Sequence, residues 1–206
     1  MKKVLIILAV GVGMAMALQS IANASLIIDT GVPQDTTGWA VMDKYGQYEA
    51  LASEFSITAP GYVITDIEGY FYSVYAGNIH VEIAGDGGEN PSSSIFYSGS
   101  TYVNSRNWFG VHSISGLVLE PGTYWVAFKP FSGTLVAMPT NAPNPLGNEA
   151  YYYYDSQHAA QWYEGDSLNL GVRISGERVV PEPATISLLG LGLAGLLRLR
   201  RKKIWN

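Results

Sequence analysis

Apolar and polar residues alternate in short runs through the middle of this chain, and no long segment keeps a helical period. Residues 50–57 form one such run, closed by Pro60-Gly61, a turn signal. Residues 63–74 follow, with Gly69 as a bulge or split. Gly77-Asn78 reads as a hairpin turn. Then Ile79, Val81 and Ile83 face one way, and His80 and Glu82 the other. Residues 85–91 read as a loop and 94–97 as a short strand. Further strands are expected at 108–114, 117–119, 123–128, 134–138 and 151–154, with a Pro- and Asn-rich loop over 139–147. A last strand over 168–174 sets Leu168, Leu170, Val172 and Ile174 on one face. Many short strands broken by frequent turns predict an all-β fold, an antiparallel, jelly-roll-like β-sandwich whose sheets have one wet side.

The two ends break this pattern. Met1-Lys2-Lys3 is a cationic start, and residues 4–18 are apolar. Ala22 and Ala24 then stand three residues and one residue before a break, as signal peptidase requires of its small-residue positions. Residues 1–24 therefore read as a signal peptide with a helical apolar segment. At the other end, Pro181-Glu182-Pro183 precedes an apolar run that reaches Leu197, and Arg198, Arg200, Arg201, Lys202 and Lys203 follow. The apolar stretch would make about 24 Å of helix at about 1.5 Å per residue, short for a membrane span. It predicts a short transmembrane helix whose basic end stays cytoplasmic. The expected organisation is a signal peptide over 1–24, an exported β domain over 25–176, a linker over 177–183 and a hydrophobic helix with a basic tail over 184–206.

Charge sharpens the picture once the ends are set aside. Residues 25–180 hold five basic and sixteen acidic residues, a net charge of −11, against −5 for the whole chain. Such a surface disfavours nucleic acid and anionic lipid and suits solubility outside the cell. The chain has no cysteine, which removes thiol nucleophiles, iron–sulfur clusters and cysteine-type zinc sites.

The C-terminal segment resembles the PEP-CTERM sorting signal. The resemblance rests on residues 180–185, on the Leu- and Gly-rich run 188–196 and on the arginine cluster. Ile204-Trp205-Asn206 after the cluster is a departure from the pattern. The resemblance implies processing near Pro181, Glu182 and Pro183 by an exosortase, a membrane-embedded enzyme with a cysteine nucleophile. It also implies bacteria that make exopolysaccharide or biofilm matrix. The middle is similar to exported β-sandwich domains found ahead of such anchors, through residues 54–57, 85–91 and 119–126. Those domains mostly lack an assigned activity.

Catalytic signatures are sparse. His80, His112 and His158 each stand alone, without metal-ligand spacing, and no nucleophile elbow, phosphate loop or dinucleotide fingerprint occurs. A glycoside hydrolase would need two carboxylates a set distance apart, which sequence does not reveal. Asp86 and Glu89, in the 85–91 loop, offer hard oxygens to calcium. The aromatic clusters carry most chemistry: alternate tyrosines of a strand share a face, so Tyr152 and Tyr154, with Trp162, form a candidate sugar-stacking set. Trp125 and Phe128 are expected in the core.

The reading is therefore a non-enzymatic, cofactor-free structural protein of the cell surface or extracellular matrix, associated with exopolysaccharide. Its expected partners are signal peptidase, exosortase and a polysaccharide, with transient inner-membrane association and no nucleic acid. A carbohydrate-binding module is the alternative, and a glycoside hydrolase comes third.

Overall fold

β-Branched and aromatic residues fit a pleated, half-buried surface, and the chain spends nearly all of its middle in strands. The computed structural model describes residues 24–165 and 168–179. Thirteen strands follow in order: β1 (Ser25–Asp29), β2 (Gly38–Lys44), β3 (Gln47–Ile57), β4 (Tyr62–Tyr75), β5 (Gly77–Asp86), β6 (Pro91–Val103), β7 (Asn107–Val111), β8 (Val118–Leu119), β9 (Gly122–Pro130), β10 (Leu135–Pro139), β11 (Glu149–Tyr154), β12 (Gln161–Glu164) and β13 (Val172–Arg178). The expected helices at the two ends lie outside the described residues, as do Ala22, Pro181, Glu182 and Pro183.

All the ladders are antiparallel. The main path of pairing runs β1-β13-β4-β10-β2-β3-β9-β5-β6, with β11 and then β12 added beside β3, and β7 and β8 beside β4. The long strand β4 makes the corner. Its first part pairs with β13, from Tyr62↔Arg178 to Gly69↔Val172, and its last residues pair with β10 instead. One strand thus serves two sheet segments, as corners of packed sheets require, and the sheet curls over its own apolar face.

That face holds Leu51, Ile64, Ile67, Phe71, Ile79, Ile83, Leu119, Phe128, Met138, Leu168 and Leu170, all almost fully buried. Phe71 and Phe128 meet edge-on at its centre, with ring centroids 5.4 Å apart. Gly69 explains why they can. A Cβ there would come within 2.6 Å of the Phe71 ring and 2.9 Å of the Phe128 ring. Gly69 is neither a bulge nor a split: β4 runs through it, and it pairs in register with Val172 and Phe109.

Gly77 and Asn78 do not make a hairpin turn. They lie inside β5, which pairs with β6 and β9, while β4 pairs elsewhere. The tight hairpin is at Tyr45-Gly46, where both residues have positive φ, 58° and 75°, between Lys44 and its partner Gln47. The strand expected over 168–174 begins only at Val172, although Leu168 and Leu170 are buried as the alternation requires. β13 also runs through Glu177 and Arg178, two residues into the expected linker.

One expectation about the faces is overturned. The centre of β3, β9 and β5 is dry on both sides. Ala52, Ala84, Trp125, Ala127 and Ala150 form a second buried cluster on the outer face, with Trp162 packed against it. Phe128 does lie in the main core, but Trp125 belongs to this second cluster.

Candidate functional site

The outer face reads off in rows across the strands. Glu82, Ala127, Ala52 and Ala150 stand side by side on β5, β9, β3 and β11. One step along, Ala50 pairs with Tyr152, which pairs with Trp162 on β12. One step further, Asp43 of β2 pairs with Tyr48 of β3, which pairs with Tyr154 of β11. Alanine has low strand propensity. Here a row of methyl groups sets a low floor beneath tall aromatic neighbours.

The result is a groove of about 490 Å³ lined by Asp43, Tyr48, Ala50, Lys129, Tyr152, Tyr154, Ala160 and Trp162. That volume lies within the range of small-ligand pockets. All three sugar-stacking candidates therefore line one groove. Tyr152 meets Trp162 edge-on at 5.4 Å and Tyr48 at 5.7 Å. Tyr154 is half exposed, whereas Trp162 also covers the alanine cluster beneath it.

The polar side of the groove is charged. Lys129 Nζ donates to Glu82 Oε2 at 2.5 Å, and both side chains are mostly buried. The Tyr48 hydroxyl is pushed up to about 12, first by burial and then by Glu82, Tyr152 and Asp43. It therefore stays a neutral donor at any ordinary pH. Aromatic rings, an ammonium, a carboxylate and a phenol converge here. That set can stack an apolar sugar face and bond to its hydroxyls.

The other side of the β11–β12 hairpin carries a second cavity, of about 440 Å³, lined by Trp39, Glu49, Tyr151, Tyr153, His158 and Tyr163. Its rings form a row: Tyr151 stacks on Tyr163 at 5.3 Å and tilts against Trp39 at 5.3 Å. Glu49 is buried and has no basic partner among the described residues, and burial pushes its carboxyl up to about 7. Asp155 fixes the hairpin loop. It accepts from the backbone N–H groups of Gln157 and His158 and from Tyr153 Oη, and its carboxyl is lowered to about 2, chiefly by the Gln157 bond.

The remaining candidates are scattered. His80 and Glu82 do not pair: His80 stacks on Phe131 at 3.8 Å, and Glu82 goes to Lys129. His112 Nδ1 lies 3.1 Å from Asp66 on the exposed surface. Asp86 Oδ1 accepts from the Gly88 N–H at 2.8 Å and holds the β5–β6 turn, while Glu89 is exposed. Among the described residues no three His, Asp or Glu side chains gather as metal ligands would. Ala24 is exposed, immediately ahead of β1.

Sequence reasoning missed Tyr48, Lys129 and Asp43 in the groove, and Trp39 and Glu49 in the cavity. The β2–β3 turn was the available signal, because it sets Asp43 beside Tyr48. Lys129 enters only through the β3–β9 register, which no local pattern contains.

Residues 179–202 match the family model of the PEP-CTERM protein-sorting motif. No curated protein matches the chain. An antiparallel β domain joined to a PEP-CTERM signal is the class that fold and motif define. The motif implies export, a membrane-anchored C-terminal sorting signal, and exosortase as the processing partner.

Proposed function

We propose that the protein is a non-enzymatic structural component of the cell surface or extracellular matrix, and that it associates with exopolysaccharide after sorting. The observation that carries the polysaccharide part is the convergence of Tyr48, Tyr152, Tyr154 and Trp162 around an alanine floor, with Lys129, Glu82 and Asp43 at its polar side. The same observation favours the closest variant of this reading, a dedicated carbohydrate-binding module. A hydrolase reading has less support. The Glu82 carboxylate is tied to Lys129, and Glu49 lies in the cavity on the opposite side of the hairpin.

The test is glycan binding by the full-length chain in mild detergent, on an array that includes the producing cell's own polysaccharide. Tyr154→Ala removes an exposed ring, so it is expected to weaken binding at least about tenfold while changing stability by less than about 0.5 kcal/mol. Trp162→Ala is expected to lower both, because that ring also covers the alanine cluster. Binding unchanged in both variants would remove the groove from the account.

A further inference from the structure

The cavity under the β11–β12 hairpin is built differently from the groove. Its aromatic row is Trp39, Tyr151 and Tyr163, and Tyr153 and His158 close the side near the loop. Tyr153 Oη is held between Gln47 and Asp155, and His158 Nδ1 lies 2.8 Å from Asp155. The polar groups at the loop are thus engaged with one another.

Glu49 is the exception. It is only 7% exposed. Its neighbours across the ladders are Met42 and Tyr153, which bring no positive charge. The ion pairs among the described residues leave it out, and burial pushes its carboxyl up. Glu49 lines the cavity. A buried, unpaired carboxylate is costly. The faces of aromatic rings carry negative potential and attract organic cations.

We propose that this cavity binds an alkylammonium group, with the Glu49 carboxylate as counter-ion and the Trp39, Tyr151 and Tyr163 rings as its apolar, electron-rich wall. The shared chemistry is a cation too large and too apolar for tight hydration. A primary ammonium and a quaternary ammonium both satisfy it. The acidic domain, at −11 over residues 25–180, draws such cations toward its surface. The groove and the cavity lie on opposite faces of β11, so each reading stands or falls without the other.

The experiment is calorimetric titration of the full-length chain in mild detergent at about pH 8, above the value to which burial pushes Glu49. The probes are choline, ethanolamine and dimethylbutanol, the last an uncharged carbon isostere of choline. Choline or ethanolamine is expected to bind at one site, and dimethylbutanol at least about tenfold more weakly. Glu49→Gln keeps the shape and removes the charge, so it is expected to lose at least about tenfold in affinity for the ammonium probe. Tyr154→Ala, in the groove, is expected to bind it as the parent does. The balance between choline and ethanolamine tells a quaternary from a primary ligand. The proposal is overturned if neither ammonium binds the folded parent, if dimethylbutanol binds equally well, or if a folded Glu49→Gln chain binds unchanged.

Discussion

Glu49 and Glu149 are both buried carboxylates of the same region, and their surroundings give them opposite parts. Glu149 accepts from the backbone N–H groups of Asn169 and Leu170 and from Ser53 Oγ, although burial still outweighs these bonds and raises its carboxyl. Glu49 has no such acceptor bonds or basic partner among the described residues and lines the cavity. Its folded carboxyl holds a proton up to about 7, while the unfolded chain releases it near the ordinary value of 4.5. Between those values the folded state binds more protons, so stability falls as pH rises. This contribution is fully present below the unfolded value and is lost as pH passes through about 7. Over the whole window the loss is on the order of 3 kcal/mol as an upper figure. Denaturation midpoints measured from about pH 5 to pH 8 should therefore decline in the parent and stay flatter in Glu49→Gln. A parallel decline in both chains would place the titrating group elsewhere.

At the scale of elements, the β11–β12 hairpin does the most. A strand alternates its side chains, so four consecutive tyrosines must divide two and two. Tyr152 and Tyr154 go to the groove, and Tyr151 and Tyr153 go to the cavity. A slip of one residue against β3 would exchange the two sets. The segment after β12 holds the edge of this region in place. Residues 168–171 are not strand, and Leu168 and Leu170 reach the core because Glu149 gathers their backbone. Glu149→Ala leaves two amide donors without an acceptor in a buried place and is expected to cost about 2–4 kcal/mol. Chemical denaturation reads the cost, and hydrogen exchange should show the Asn169 and Leu170 amides losing protection first. Full protection at those amides would contradict the clasp.

At the scale of the molecule, β1 pairs with β13, so Ser25 lies opposite Gly176 and the first and last strands of the described domain are neighbours at one edge of the sheet. Val179 N donates to Gly61 O, which ties the chain to the domain just before Pro181-Glu182-Pro183. The sorting motif therefore begins where the folded domain stops. Expressed with an exosortase, the chain should yield a mature form that begins near Ser25 and ends near Pro181-Glu182-Pro183. In a host without the enzyme, intact mass should still show residues 184–206. The same tail in both hosts would make that segment a plain anchor. Much of this protein was legible in the order of its residues. The sorting motif was legible because it lies in one contiguous stretch, residues 179–202. The strands at 50–57 and 79–83 follow from alternation, the one at 123–128 from its run of aromatic and β-branched residues, and the shared face of Tyr152 and Tyr154 follows from the strand's period of two. β1, β2 and β12 were not legible: β1 and β2 show no regular alternation of buried and exposed positions, and β12 has only four residues. Nor was the full length of β6, whose serines and glycine give no apolar rhythm. Tertiary structure alone placed Trp125 in a second dry layer, brought Lys129 to the groove, and set Glu49 beside the aromatic row without a basic partner among the described residues. Those facts depend on which strands become neighbours, and strand pairing is a long-range choice that local periodicity does not encode.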